Sequence, residues 1–199
     1  MENILFIIIF CWTNLMKKFN SSKEYIKYSL SKTLSLIEEL LNSDKYISSV
    51  IDASNLIIES LDNQNCVYLA GNGGSAAHSQ HFAAELVSRF NFDRNPLPAI
   101  ALTTDSSILT SISNDYGYEK VFERQLAALA KSGDIFIGFS TSGNSQNIIN
   151  AFRKSHQIDV ISIGICGQNG IKDVKPNYLE WLNNYEIIKY TEINSNYKT

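Results

Sequence analysis

Apolar residues recur at helical spacing in the first third of the chain. One stripe has members three or four positions apart, which is the period of a single helix face: Ile26, Leu30, Leu34, Ile37 and Leu41. Ser21 and Glu24 precede it in the S-x-x-E pattern of a capping box. We therefore expect a helix over about 22–42, and a second stripe of the same period predicts another over about 44–62.

From position 66 onward the pattern changes to short, continuous apolar runs. Four such runs occupy 66–71, 98–104, 134–140 and 159–165. Continuous apolarity, as opposed to alternation, indicates strands that are buried on both faces. Helix-like stretches separate the runs, at 75–90, about 106–113, 118–131 and 145–155. Alternating strands and helices predict an α/β fold in which helices cover both faces of a parallel sheet.

The first turn-rich segment, 71–76 (GNGGSA), matches the letters G-x-G-x-x-A of a dinucleotide-binding loop. That loop requires an acidic residue about twenty positions further on, to hold a ribose. Asn95 and Pro96 stand there, and Asp105 lies too far along. The segment is better suited to a phosphate or sugar-hydroxyl cradle, because glycines allow close backbone approach and a helix N-terminus attracts anions. Ser75 is also placed to cap the following helix, and capping alone would explain it.

A second polar cluster, 140–145 (STSGNS), follows the third apolar run and precedes a helical stretch. Four hydroxyl groups and a glycine surround a helix N-terminus, where several short donors converge on one anion. No lysine follows in the manner of a P-loop, which argues against a nucleoside triphosphate with magnesium. A phosphomonoester fits better, and a solvated Ser/Thr turn is the alternative.

His81 and Glu85 stand four positions apart on the helix after the first loop, and hence on one face. The pair suits three roles: two ligands of a divalent ion, a general base beside a sugar carbon, or a hydrogen-bonded surface pair. His78 lies about 60° away from a strict i, i+4 partner, and we leave it out of the site. A further polar turn, 114–117 (NDYG), is able to hold sugar hydroxyls or to start the next helix.

Composition and charge narrow the functional classes. The chain has 199 residues, of which 44% are hydrophobic and 19% charged, and this suits one globular domain with an added helical element. A net charge of −3 without any Lys/Arg run gives no reason to expect a nucleic-acid partner. Three widely spaced cysteines without a Cys-x-x-Cys pair indicate reduced thiols and a cytoplasmic protein, and exclude an all-cysteine zinc site.

The N-terminal apolar run, 4–12 (ILFIIIFCW), is too short to span a bilayer. It resembles the core of a signal peptide, but Glu2 stands where a basic residue is expected and no small-x-small cleavage site follows. We interpret residues 1–15 as a non-native extension, exclude them from the fold, and expect no membrane partner.

Four segments together resemble the phosphoheptose isomerases of the sugar-isomerase (SIS) domain family. They are AGNGGSAAHSQHFAAEL, PAIALTTDSS, SNDYGYEKVFERQ and GFSTSGNSQNII, in this order and at family-like spacing. The resemblance covers roughly 20–170 and implies a three-layer α/β/α sandwich around a five-stranded parallel sheet, with N-terminal helices that help to form a homotetramer. It also implies conversion of sedoheptulose 7-phosphate to D-glycero-D-manno-heptose 7-phosphate, the first step towards the heptose of lipopolysaccharide or capsule.

The resemblance implies roles for individual positions. Glu85 would be the base that moves a proton between C1 and C2 through an enediol, and His81 with Glu85 would bind one zinc ion per subunit. The implied contacts to the sugar phosphate come from Asn72, Gly73, Gly74, Ser75, His81, Glu85, Asn114 and Asp115, and those to its phosphate from Ser140, Thr141, Ser142 and Ser145.

The C-terminal segment departs from the family pattern. In the isomerases a C-terminal helix with a pattern like A-R-I-Q-E-x-H supplies the Gln and His that complete the zinc site, and the His is the partner acid. Beyond Gly170 this chain has neither Gln nor His. We therefore divide the chain into an SIS domain with its N-terminal helices, 16–170, and an atypical tail, 171–199, and expect the zinc site to be incomplete.

Two explanations of the tail stay open. One is a frameshifted or truncated product of an isomerase gene, and the other is a true variant that binds sugar phosphate or a protein partner without turnover. The non-catalytic alternative resembles the initiator-associating protein that binds DnaA, which shares this domain. That protein lacks the glutamate of AAEL and the NDYG turn, so both features favour the enzyme.

Overall fold

The computed structural model describes Phe19, residues 21–166 and the backbone of 187–189. The apolar run 4–12 and, apart from the short strand at 187–189, the tail 171–199 lie outside the described residues, so our proposals for both segments stay predictions. Contacts divide the described chain into two units, one up to Asp44 and one from Lys45 onward, and each is described by itself.

The first unit contains one long helix, α1 (Ser22–Leu41). Its N-cap is Ser21, whose hydroxyl oxygen accepts a hydrogen bond from the backbone N–H of Glu24 at 3.2 Å, as the capping-box pattern predicted. No residue of α1 is buried, and several members of its apolar stripe are more than half exposed: Leu30, Leu34, Ile37 and Leu41. The helix therefore carries an apolar face that the described residues do not bury.

The second unit follows the predicted alternation of strands and helices. Its helices are α2 (Asp44–Asp62), α3 (Gly74–Val87), α4 (Ser106–Tyr116), α5 (Val121–Leu129) and α6 (Gln146–Gln157), and a 3-10 turn, Tyr118–Lys120, leads into α5. Its strands are β1 (Val67–Ala70), β2 (Ala99–Ala101), β3 (Ile135–Ser140), β4 (Ile161–Cys166) and β5 (Ile187–Lys189). Throughout the described ranges, no helix has the length and apolarity needed to cross a bilayer.

The strands form one parallel sheet in the order β2-β1-β3-β4-β5. Leu69 in β1 stands opposite Ala101 of β2 on one side and Ile137 of β3 on the other. From β1 the chain passes to β2, which pairs with one edge of β1. β3 pairs with the other edge of β1, and β4 and β5 follow beyond β3. The predicted parallel sheet is confirmed, with the strand order reversing at β1.

Each face of the sheet has its own apolar core. Leu69 belongs to one core, together with Ala53 of α2 and Ala83 of α3. On the other face Phe136 of β3 contacts Phe152 of α6 edge to face, with ring centroids 5.2 Å apart, and α4 and α5 contribute to the same core. Helices thus cover both faces, which confirms the three-layer α/β/α sandwich.

The end of α3 differs from the sequence-based limit. The helix stops at Val87 and not near position 90. The Arg94 guanidinium donates hydrogen bonds to the backbone carbonyls of Glu85 at 2.6 Å and Leu86 at 2.8 Å, two of the carbonyls that the last turn leaves without a helical partner. A side chain arriving from a later loop therefore ends this helix, and local periodicity does not encode such a cap.

The end of α4 also differs from the prediction. The helix continues through Tyr116, so Asn114 and Asp115 lie in its last turn. Gly117 ends the helix at φ +90°, a backbone conformation that L side chains rarely adopt. The prediction of a polar turn over 114–117 is therefore wrong, because only Gly117 turns the chain.

Two buried serines allow a matched test of stability. Ser162 in β4 is 2% exposed, and within the described structure its hydroxyl has no hydrogen-bond partner. Ser60 in α2 is 3% exposed and donates to the carbonyl of Gly133 at 2.8 Å. We expect Ser162→Ala to leave the free energy of unfolding unchanged or to raise it, and Ser60→Ala to lower it by about 1 kcal/mol.

The free energy of unfolding of both variants is measured by urea unfolding, with circular dichroism as the signal. Equal destabilisation by the two substitutions would show that the Ser162 hydroxyl has a partner in the folded protein.

Candidate active site

The carboxyl ends of β1 and β3 form the crevice at which the strand order reverses. The connection after β1 leads through α3 to β2, and the connection after β3 leads through α6 to β4 on the other side. In open parallel sheets ligands bind at such a switch point. The loops 71–73 and 141–145, which the sequence marked as polar clusters, follow these two strands and border the crevice.

The loop after β3 presents hydroxyl groups at the N-terminus of α6. The Ser140 hydroxyl donates to the Ser145 hydroxyl oxygen at 3.0 Å, and the Ser142 hydroxyl oxygen accepts from the backbone N–H of Asn144 at 3.2 Å. Ser145 is the N-cap of α6, but its side chain makes no capping hydrogen bond. The O–H groups of Ser142 and Ser145 and the first N–H groups of the helix therefore remain as donors for an anion.

The loop after β1 is a tight turn onto α3. Gly73, at φ +55°, is the N-cap, and the backbone N–H groups of Ser75 and Ala76 donate to the carbonyls of Asn72 and Gly73. Ser75 therefore lies inside the helix and does not cap it. A Cβ on Gly71 would lie 2.6 Å from the carbonyl group of Ser75, so this glycine lets the loop fold directly against the helix.

A pair of asparagines joins the two loops. Asn72 and Asn147 exchange two side-chain hydrogen bonds, each from Nδ2 to Oδ1, at 3.0 Å and 2.8 Å. Asn147 is 3% exposed, and its Oδ1 also accepts from the backbone N–H of Ile148 at 3.0 Å. The Tyr118 hydroxyl donates to Asn72 Oδ1 at 2.9 Å. Three separate segments of the chain thus meet at Asn72.

A pocket of about 700 Å³ opens at this end of the sheet, within the size range of small-ligand sites. It brings together five of the predicted site residues: Ser75, His81, Glu85, Ser140 and Thr141. Apolar side chains form much of the remaining wall: Phe82, Leu86, Phe90, Phe92, Leu97, Phe139 and Ile165. We call the segment 140–145 the hydroxyl loop. Its first two residues share one pocket with the face of α3 that carries His81 and Glu85.

The other predicted residues lie outside the pocket wall. Those of the two loops border the crevice: Asn72, Gly73, Gly74, Ser142 and Ser145. Asn114 and Asp115 are exposed at the end of α4, where Asn114 Nδ2 donates to Asp115 Oδ1 at 2.8 Å. Their implied contact with substrate therefore stays a prediction.

The His81 and Glu85 side chains form a close pair on α3. His81 Nε2 and Glu85 Oε1 are 3.5 Å apart, and the two side chains are 77% and 34% exposed. Two ligand atoms on a tetrahedral zinc ion lie about 3.4 Å apart, so the pair fits two corners of such a site. Within the part of the chain that the structure describes, no group of three or more His, Cys, Asp and Glu side chains is placed to hold a metal ion. The described residues thus supply two of the three or four ligands that zinc needs.

Several residues of the site were missed from the sequence. His78, which its helical angle had set aside, lines the pocket, and so does Arg94. Asn147 and Tyr118 were also missed, although Asn147 carries a signal. It falls on the buried stripe of α6 with Ala151, and a polar side chain at such a position indicates a specific partner.

Cys66 lies away from the crevice. It precedes the amino end of β1, and burial, followed by the charge of Asp134, raises the pKa of its thiol. A thiol that loses its proton less readily is a poorer nucleophile at neutral pH. We therefore assign Cys66 no role in the site.

Comparisons with known proteins agree with the fold. The SIS domain family matches residues 30–167. The phosphoheptose isomerase of Sulfurimonas denitrificans is 46% identical over 148 residues, which cover 74% of this chain and 76% of that protein. Phosphoheptose isomerase 2 of Campylobacter jejuni is 49% identical over 155 residues, which cover 78% of this chain and 76% of that protein.

Solved structures show the same similarity. The phosphoheptose isomerase of Neisseria gonorrhoeae superposes with a TM-score of 0.74 at 32% identity, covering 88% of this chain and 89% of that one. The phosphoheptose isomerase of Francisella tularensis gives a TM-score of 0.79 at 28% identity, covering 88% of each chain. These matches do not favour a non-catalytic relative of the initiator-associating protein. The chain belongs to the phosphoheptose isomerase family of SIS-domain proteins.

Proposed function

We propose that the protein converts sedoheptulose 7-phosphate to D-glycero-D-manno-heptose 7-phosphate, a precursor of the heptose in lipopolysaccharide or capsule. One observation carries the proposal: a single pocket contains the Glu85 carboxylate and part of the hydroxyl loop at the N-terminus of α6. The carboxylate can move a proton, and the hydroxyl loop can bind a phosphate. The relatives compared above, each a phosphoheptose isomerase, support the same reaction.

In this proposal the hydroxyl loop binds the phosphate group of the sugar. The implied contacts are the hydroxyls of Ser140, Thr141, Ser142 and Ser145, together with the N-terminal N–H groups of α6. The Ser140 hydroxyl donates to Ser145 and leaves the Ser145 O–H to donate to the phosphate. The phosphate takes no part in the chemistry, so its binding energy serves to orient the sugar along the pocket towards α3. The sugar itself would be contacted by the first loop and its neighbours: Asn72, Gly73, Gly74, Ser75, His81, Asn114 and Asp115.

Glu85 acts as the base. Its carboxylate takes a proton from C1 of the ketose and returns it to C2, and the intermediate between the two steps is an enediol. A second proton passes from the C1 hydroxyl to the C2 oxygen, so that C1 becomes the carbonyl carbon of the aldose. Arg94 supports this role, because its bonds to the carbonyls of Glu85 and Leu86 hold the last turn of α3 in place. A carboxylate on a fixed helix keeps its position relative to the bound phosphate.

We include one zinc ion per subunit in the proposal, with His81 Nε2 and Glu85 Oε1 as two of its ligands. Their 3.5 Å spacing supports this assignment. A bound zinc ion supplies a Lewis acid that polarises the carbonyl of the sugar. Because the described residues provide only these two ligands, the proposed proton transfer between C1 and C2 involves the Glu85 carboxylate and not the metal.

The proposal extends to assembly and location. We place the protein in the cytoplasm, as its three widely spaced cysteines suggest. We also propose a homotetramer formed through the N-terminal helices, which the exposed apolar stripe of α1 supports.

Light scattering coupled to size-exclusion chromatography tests this assembly, because it measures the molar mass in solution. A monomer at micromolar concentration would contradict the tetramer.

Ser142→Ala tests the phosphate assignment. Removing a hydroxyl donor to a charged phosphate is expected to weaken binding of sedoheptulose 7-phosphate by roughly tenfold or more, measured by isothermal titration calorimetry. Ser132→Ala, an exposed serine in the turn before β3, is the control and should bind as the unmodified protein does. Unchanged binding by Ser142→Ala would refute the assignment.

Turnover tests the reaction itself. The purified protein is incubated with sedoheptulose 7-phosphate, with and without added zinc, and the aldose product is measured. Formation of the aldose is the expected result. Thermal stabilisation by the sugar phosphate without turnover in either condition would instead indicate a binding or regulatory protein.

A further inference from the structure

The paired asparagines at the crevice use all of the hydrogen-bond accepting capacity of their side-chain oxygens. A side-chain amide oxygen accepts two hydrogen bonds, and its NH₂ group donates two. Asn72 Oδ1 accepts from Asn147 Nδ2 at 2.8 Å and from the Tyr118 hydroxyl at 2.9 Å. Asn147 Oδ1 accepts from Asn72 Nδ2 and from the backbone N–H of Ile148, both at 3.0 Å. Both oxygens are therefore saturated, and each of the two amides keeps one N–H beyond the pair.

The orientation of the two amides follows from the backbone. The oxygen and nitrogen of an asparagine side chain are told apart by their partners. The backbone N–H of Ile148 donates to the carbonyl of Ser145 and also meets a side-chain atom of Asn147, both at 3.0 Å. An amide nitrogen at that atom would set two donors against each other, so the atom is Oδ1 of Asn147. Asn147 then presents Nδ2 to Asn72, so the atom of Asn72 that receives it is Oδ1. The Tyr118 hydroxyl donates to this same oxygen, in agreement with that orientation.

We propose that Asn147 and Tyr118 are positioning residues for the sugar-phosphate site, acting through Asn72. Asn147 lies in the first turn of α6, directly after the hydroxyl loop, and it is buried. Its pairing with Asn72 fixes the loop after β1 at a set distance from the hydroxyl loop. Tyr118 locks the pair from a third segment, beyond the end of α4.

The saturation of the two oxygens also determines what Asn72 offers a ligand. With both lone pairs in use, the side chain of Asn72 acts as a donor only, towards an oxygen of the sugar that accepts a hydrogen bond. Without Tyr118 or Asn147 the amide would regain an open acceptor site and rotational freedom. It would then accept a hydrogen bond from water or from a sugar hydroxyl at a place where it should donate one. The affinity for the whole sugar phosphate would fall.

This inference rests on the proposed function, and its test separates the two. Tyr118→Phe removes one hydroxyl from a side chain that is 54% exposed, so folding should be retained. We expect it to raise the dissociation constant for sedoheptulose 7-phosphate about three- to tenfold, the range of one hydrogen bond. Binding of inorganic phosphate, which needs only the hydroxyl loop, should change less than twofold. Tyr116→Phe, two positions earlier, is the matched control, since its ring is retained beside Arg124.

A double-mutant cycle shows whether the effect passes through Asn72. In an Asn72→Ala background, both Tyr118→Phe and Asn147→Ala should add less than twofold, because their target is gone. If the unmodified protein does not bind sedoheptulose 7-phosphate, the proposed function and the inference both fail. If it binds, but Tyr118→Phe has no effect, weakens inorganic phosphate equally, or adds fully to Asn72→Ala, the inference alone is overturned.

Discussion

Glu85→Gln is expected to lower kcat for sedoheptulose 7-phosphate roughly 100- to 10,000-fold while leaving binding nearly unchanged. The substitution keeps the size of the side chain but removes the carboxylate that accepts the proton, and general-base catalysis accounts for a factor of this order. Because the Glu85 side chain is 34% exposed and its described charge partner is an exposed histidine, folding should be little affected. Steady-state kinetics measures kcat, and the thermal shift caused by the sugar phosphate measures binding.

The control for this prediction is Glu59→Gln on the exposed side of α2. It makes the same change of charge far along the chain from the pocket and should retain full turnover. Turnover by Glu85→Gln within tenfold of the unmodified protein would exclude Glu85 as the base. Loss of ligand-induced stabilisation together with loss of turnover would show that Glu85 mainly binds the sugar or a metal.

Gly71→Ala is expected to abolish sugar-phosphate binding and to lower the stability of the fold. An added Cβ would lie 2.6 Å from the backbone carbon and oxygen of Ser75, a distance that real Cβ atoms do not show. The neighbouring atoms are backbone of α3, so relief requires the loop to move away from the helix. Forced overpacking of this kind costs about 1–3 kcal/mol. Chemical denaturation measures the stability, and calorimetry measures binding.

Gly74→Ala is the matched control for the stability part of that prediction. A Cβ at Gly74 meets no atom within 4 Å, and the residue lies at the start of a helix, where alanine is favoured over glycine. It should fold at least as stably as the unmodified protein. Equal stability of Gly71→Ala and Gly74→Ala would contradict the close packing of this loop on α3.

The layout of the second unit could be predicted because its core is built from local patterns. Continuous apolar runs such as 134–140 become strands buried on both faces, and Phe136 and Ile137 point into different cores. The position of the two loops at the carboxyl end of the sheet followed from their place directly after strands. The exact ends of α3 and α4 did not follow, since Arg94 and Gly117 end them through a distant side chain and a backbone angle.

The candidate site was predicted less completely than the fold, for a physical reason. Spacing along one helix placed His81 and Glu85 together, and the structure gives 3.5 Å between their polar atoms. Contacts between distant segments have no such period. The pairing of Asn72 with Asn147 joins positions 75 apart in the chain, and only the strand order brings them together.

The place of β1 between β2 and β3 in the sheet has a consequence for synthesis of the chain. β1 pairs with β3 along one edge, yet Ile135, the partner of Val67, is made about 70 residues later. At 5–20 residues per second, that edge waits roughly 4 to 14 seconds on the ribosome before its partner exists. An open apolar strand is a template for pairing with other chains. The same strand order that creates the crevice therefore makes the nascent protein vulnerable to aggregation until β3 has emerged.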